Sequence, residues 1–116
     1  LVSNGIKHIQ LPRLEGASLF PYFDKVFISE EIGYSKPNPK YFEVVFSLIP
    51  HFSKEETLII GDSLTSDIKG GNDASITTVW FKPHYKKGNN IPTNEVHSNQ
   101  EFLALLNDLN EKKLNV

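Results

Sequence analysis

The sequence contains no cysteine and no methionine. Without cysteine there can be no disulfide framework, no thiolate nucleophile and no cysteine-ligated zinc. That absence fits a reducing compartment, and a cytoplasmic location is the expectation. The lack of methionine extends to position 1, since the chain opens directly on Leu1. The expectation is that position 1 is not the natural start and that the chain is a piece of something longer. Long apolar runs are missing as well, since none approaches the roughly 18–20 residues needed to cross a bilayer. Nor does one sign of charge dominate. Twelve basic residues face fourteen acidic ones, for a net charge of −2, so nothing points to nucleic acid or an anionic membrane as partner. What is present is a 116-residue chain, 39% hydrophobic and 22% charged, a length and balance that suit one domain with a buried core.

Short apolar runs alternate with helical patterns, which predicts an α/β architecture with a mostly parallel sheet. Leu1-Val2 reads as the tail of a strand, stopped by Ser3-Asn4-Gly5. A helical stretch follows from Lys7 to Leu19, although Pro12 suggests that its regular part starts only near Leu11. Lys25–Ser29 is a buried-strand pattern. The loop Gly33-Tyr34-Ser35-Lys36-Pro37-Asn38-Pro39 ends on an N-cap, Asn38, with Pro39 in the first helical position. The helix it opens runs to Ile49, with Tyr41, Phe42, Val45, Phe46, Leu48 and Ile49 as its apolar face. Thr57–Ile60 is the clearest buried strand and leads through Gly61-Asp62 into a short helix ending near Ala74. Thr77–Phe81 is another strand, residues 82–94 read as a surface loop, and Glu95-Val96-His97 as a brief edge strand. Ser98-x-x-Glu101 is a capping box opening a last helix, with Phe102, Leu103, Leu105, Leu106 and Leu109 on its buried side. Trp80, Tyr22, Phe23 and Phe27 read as core. His8, His51, His84 and His97 lack ligand spacing, and Lys86-Lys87 reads as a solvated pair.

Three features fall just past the carboxyl ends of successive strands: Ser3-Asn4, Lys36, and Asp62 with Asp67. In an open parallel sheet such ends converge on a ligand crevice. Taken singly each has a plain reading: a turn, a solvated lysine, a helix cap, a charge complementing a helix dipole. Taken together they supply a hydroxyl, loop N–H groups, an ammonium and two carboxylates, which suits a phosphoryl group with a divalent metal. Ser3 can donate to a phosphate oxygen, with N–H groups at Asn4 and Gly5 adding to it. Lys36 offsets phosphoryl charge. Asp62 is a hard oxygen ligand of the kind Mg²⁺ prefers, and Gly61 lets the backbone turn there. Asp67, in the first turn of the next helix, can bind the metal or hold Lys36.

In this order Leu1-Val2-Ser3-Asn4-Gly5, Gly33–Pro39 and Gly61-Asp62-x4-Asp67 resemble the second, third and fourth motifs of the haloacid dehalogenase-like hydrolases, and the similarity continues through Phe81. The resemblance implies a Rossmann-like parallel sheet flanked by helices. It also implies roles: Ser3 and Asn4 bind the phosphoryl group, Lys36 stabilises nucleophile and transition state, and Asp62 ligates Mg²⁺ with Asp67 in support. The family's first motif, an Asp-x-Asp pair whose first member attacks phosphorus and whose second is the general acid/base, occurs nowhere here; Asp24, Asp73 and Asp108 are isolated. Residues 1–116 are therefore expected to be the C-terminal part of a core domain, carrying motifs two to four. The expected losses are the cap domain and a central strand between those ending at Ser3 and at Asp62. Such a piece should fold poorly and show no turnover by itself.

The intact Gly61-Asp62 favours a Mg²⁺-dependent phosphatase over a dehalogenase. Ile28–Gly33 followed by Ser35-Lys36-Pro37-Asn38 looks most like the pyrimidine 5′-nucleotidase branch, with sugar-phosphate phosphatases next. The expected partners are a small phosphorylated metabolite and the rest of the same protein. The alternative is a non-catalytic phosphate-binding or regulatory domain on the same fold. Ser75 stands where the family commonly has glycine at a helix end.

Overall fold

Apolar β-formers and well-capped helical runs alternate along the chain, and the computed structural model shows parallel strands with helices between them. It describes residues 1–18, 20–81 and 91–114. The chain divides into two compact units, Leu1–Glu56 and Thr57–Val116.

In the first unit, β1 (Val2–Ser3) is followed by α1 (Lys7–Gly16), a 3₁₀ turn (Phe20–Tyr22), β2 (Phe27–Ile28), α2 (Ser29–Ile32) and α3 (Pro39–Ser47). β1 and β2 pair in parallel, Val2 with Phe27 and Ser3 with Ile28. Helix α1 starts at Lys7 and carries Pro12 in its interior, rather than starting near Leu11. It buries no residue, so the hydrogen bond lost at proline is lost on a helix open to water. Leu19 lies outside the described residues. Gly33 closes α2 at φ 89°, the left-handed position that glycine occupies without a Cβ penalty. Asn38 caps α3 as expected, its side chain accepting from the Lys40 N–H at 2.9 Å. The helix stops at Ser47, so Leu48 falls outside it and is exposed. Among the described residues, Ile28, Tyr41, Phe42 and Val45 are the buried apolar residues of this unit. The Tyr41 hydroxyl donates to the Phe27 carbonyl at 3.0 Å, tying α3 to β2. Tyr22, expected in the core, is 80% exposed on its 3₁₀ turn.

A 3₁₀ turn (Lys54–Glu56) ends the first unit, and the second opens on β3 (Leu58–Gly61). A π turn (Leu64–Ile68), α4 (Lys69–Asp73), β4 (Thr77–Phe81), β5 (Asn94–Val96) and α5 (Asn99–Leu114) follow. The strands form a parallel sheet in the order β3-β4-β5. Helix α4 approaches this sheet closely because Gly71 has no side chain: a Cβ there would lie 2.6 Å from both Ile59 Cγ2 and Thr78 Cγ2. Ser75, just past the helix, sits at φ 60°. The bonds Ser75 N–H to Asn72 O and Ile76 N–H to Gly71 O complete a Schellman-type ending. Ser98 caps α5, accepting from the Glu101 N–H at 3.1 Å. The Glu101 carboxylate reaches back to the His97 N–H at 2.6 Å, one residue before the partner of the standard capping box. Phe102, Leu105, Leu106 and Leu109 are half-buried on one stripe. Leu103 is 59% exposed, because it lies about a quarter turn off the i, i+3, i+4, i+7 spacing of the others. His84, Lys86 and Lys87 fall in residues 82–90, outside the described residues.

The described strands thus form a two-stranded and a three-stranded sheet. Among the described helices none is long and apolar enough to cross a membrane.

Candidate phosphoryl and metal site

The first unit gathers Ser3, Asn4 and Lys36. Parallel pairing carries β1 to its end at Ser3, and the chain turns through Asn4 and Gly5 into α1. The carboxamide of Asn4 is bonded at both ends to the backbone of Lys36. Its Oδ1 accepts from the Lys36 N–H at 2.8 Å, and its Nδ2 donates to the Lys36 carbonyl at 3.0 Å. A side-chain amide here does what a neighbouring strand would do, and it joins residues 32 apart in sequence. The Lys36 ammonium in turn donates to the Val2 carbonyl at 3.4 Å, which sets the cation beside the last residues of β1. The Lys36–Pro37 peptide is cis.

Two details differ from the sequence expectation. The Asn4 side chain grips the Lys36 backbone, so its role in the structure is to hold the lysine loop. The Gly5 N–H is used by Ser29, whose hydroxyl accepts it at 2.8 Å and donates back to the Gly5 carbonyl at 3.2 Å. Ser29 is buried at the start of α2. A buried hydroxyl that satisfies both polar groups of one peptide residue locks that turn, and the Gly5 N–H is then spent on the scaffold rather than aimed at an anion.

The second unit gathers Gly61, Asp62 and Asp67. Asp62 follows β3 and is exposed, while its carbonyl accepts from the indole N–H of buried Trp80 at 2.9 Å. Ser63 caps the next turn, accepting from the Ser66 N–H at 3.2 Å. The Ser63 carbonyl accepts from both Asp67 N–H and Ile68 N–H at 3.1 Å. The second of these spans five residues, so the chain makes a wide π turn before α4 begins, where a plain first helical turn was expected. Such widened turns recur at functional positions. The turn buries Asp67, which is 8% exposed, with its carboxylate against the Cα of Gly61. A Cβ at position 61 would overlap that carboxylate. Glycine is needed there to seat Asp67, and its φ lies outside the left-handed range, so a sharp turn is not what requires it.

Among the described residues no three His, Asp or Glu side chains cluster as a metal cage. Mg²⁺ does not demand one. It binds through one or two carboxylates and completes its shell with water and substrate phosphate. An exposed carboxylate at Asp62 and a buried one at Asp67, on the same strand-end turn, match that donor chemistry.

Sequence reasoning missed Ser29 and Gln10, both of which contact the Ser3–Gly5 turn. Their signal is weak, since a serine at a helix start and a glutamine on an exposed helix are ordinary residues there. Trp80 was read as core only, and it also fixes the Asp62 backbone.

The haloacid dehalogenase-like hydrolase family matches residues 1–81, a span containing Ser3, Asn4, Lys36, Asp62 and Asp67. The chain belongs to that family. Among similar proteins, the HAD-hydrolase YfnB of Bacillus subtilis is 48% identical over 109 residues, covering 92% of this chain and 46% of YfnB. A magnesium-bound crystal structure of YfnB superposes with a TM-score of 0.87, covering 91% of this chain and 47% of that one. The pyrimidine 5′-nucleotidase PynA of Streptococcus pneumoniae is 48% identical over 106 residues, covering 90% of this chain and 45% of PynA. The pyrimidine 5′-nucleotidase YjjG of Escherichia coli is 36% identical over 108 residues, covering 91% of this chain and 48% of YjjG. The chain spans about half the length of these relatives.

Proposed function

We propose that the protein to which these residues belong is a Mg²⁺-dependent phosphomonoester hydrolase of small metabolites, with nucleoside monophosphates the first substrates to test. The observation that carries this reading is the Asn4 clamp, which fixes an ammonium beside the end of a strand that presents a serine hydroxyl. The names of PynA and YjjG direct the choice of substrate. The Ser3 hydroxyl donates to a non-bridging phosphoryl oxygen. Lys36 neutralises charge on those oxygens and on the attacking carboxylate, a contribution that grows as charge builds in the transition state. Asp62 and Asp67 are the residues that would hold Mg²⁺, whose contribution when bound would be Lewis-acid positive charge. The nucleophile is an aspartate outside these residues that forms an aspartyl-phosphate, and its general acid/base partner lies there too. The site operates in the cytoplasm.

The complete gene product is assayed for phosphate release from a panel of nucleoside monophosphates and sugar phosphates, with Mg²⁺ and with chelator. Mg²⁺-dependent release that favours pyrimidine nucleotides is expected. Phosphate binding without turnover would replace this reading with the non-catalytic domain, and metal-independent halide release with the dehalogenase.

A further inference from the structure

Gln10 lies on α1, a helix that buries nothing, yet its side chain is half-buried because it folds back over the Ser3–Gly5 turn. Its Nε2 donates to Ser3 Oγ at 3.3 Å and to the Asn4 carbonyl at 3.3 Å. Room for it exists because residue 5 is glycine: a Cβ there would meet Gln10 Nε2 at 2.6 Å and Cγ at 2.9 Å. The φ of Gly5 lies outside the left-handed range. The glycine therefore serves the carboxamide above it and not a strained backbone.

This geometry has a consequence for Ser3. A hydroxyl has one hydrogen and two lone pairs. Gln10 can only donate from Nε2, so it occupies a lone pair of Ser3 Oγ and leaves the hydroxyl hydrogen pointing elsewhere. Among the described residues that hydrogen reaches the Asn4 carbonyl at 3.4 Å, a long contact that a phosphoryl oxygen would outcompete. Donation into Oγ also polarises the O–H outward. The same amide, by bonding the Asn4 carbonyl, steadies the residue whose side chain clamps Lys36.

We infer that Gln10 is a positioning residue, holding the Ser3 hydroxyl as an obligate donor to the phosphoryl group. The inference rests on the phosphoryl-binding role proposed above for Ser3. Its test is a double-mutant cycle on the complete gene product, reading inorganic phosphate affinity by titration calorimetry in the presence of Mg²⁺. Gln10→Met keeps length and volume and removes the donor. It should weaken phosphate binding about fivefold, the worth of one net hydrogen bond. In a Ser3→Ala background the same change should cost nothing more, since the hydroxyl it acts through is gone. A general packing role would cost the same in both backgrounds, and that result overturns the inference. Gly5→Ala, whose Cβ displaces the tip of Gln10 without backbone strain, should reproduce the loss and carries the test if Gln10→Met does not fold. Ser3→Ala weakened but Gln10→Met and Gly5→Ala as tight as the parent overturns the Gln10 role alone. Ser3→Ala binding phosphate as tightly as the parent overturns the phosphoryl-site reading, and the inference with it.

Discussion

The two units hold their chemical groups by different means. In the first, hydrogen bonds from side-chain amides and a hydroxyl do the holding: Asn4 to the Lys36 backbone, Ser29 to the Gly5 backbone, Gln10 to the Ser3 hydroxyl and the Asn4 carbonyl. In the second, shape does the holding: Asp67 occupies the space left by the missing side chain of Gly61, and a π turn brings it there. A hydrogen-bonded clamp is graded, because one bond can be lost while the rest persist. A packed seat is close to all-or-none, because a single Cβ fills it.

Five substitutions sharpen that contrast. The largest effect is expected for the groups themselves: Lys36→Ala in the complete gene product should lower kcat by about a hundredfold or more, measured as phosphate release. Retained turnover would remove the first unit from the chemistry. Next is the seat. Gly61→Ala should cost roughly 1–3 kcal/mol through overpacking and also weaken Mg²⁺ binding, read by denaturant melts and metal titration. Gly71→Ala is the control. A Cβ there is also crowded, 2.6 Å from Ile59 Cγ2 and Thr78 Cγ2, and the variant should lose stability with Mg²⁺ affinity unchanged. Equal metal loss in both variants would mean that position 61 acts through the fold and not through Asp67. The clamp should respond more gently. Asn4→Asp keeps the acceptor for the Lys36 N–H and sets an oxygen against the Lys36 carbonyl, a loss of about 1 kcal/mol. Turnover should fall less than in Lys36→Ala. The smallest effect has the opposite sign: Ser75→Gly relieves a left-handed residue at the end of α4 and should raise stability by about 0.5–1 kcal/mol, seen as a higher melting temperature with unchanged turnover.

Local features were legible in the sequence. Asn38 caps α3, and Ser98 with Glu101 caps α5, because a cap joins residues two to four apart and its partners can be read side by side. The strands at Leu58–Gly61 and Thr77–Phe81 were equally plain, as short apolar runs bounded by polar turns. The misreadings share a cause. Sequence pattern has Pro12 delaying a helix that in fact begins before it, and places Tyr22 in the core because it is aromatic, though it is 80% exposed. Both depend on whether neighbours cover the residue, which no local pattern states. Gly61 was assigned a bend when its purpose is a carboxylate six residues later.

From the sequence alone follow the residue types, their order and their place at strand ends: Ser3, Asn4, Lys36, Asp62 and Asp67, in a motif order specific enough to name the family. Those are consequences of hydrophobic periodicity and turn chemistry over a few residues. Tertiary structure decided what each residue touches. Asn4 became a clamp because folding brought Lys36 to it across 32 residues, and Gln10 reached Ser3 because Gly5 leaves the space between them open. Hydrogen bonds and close packing are settled by distances of a few ångströms, and only the folded chain sets those distances between residues remote in sequence.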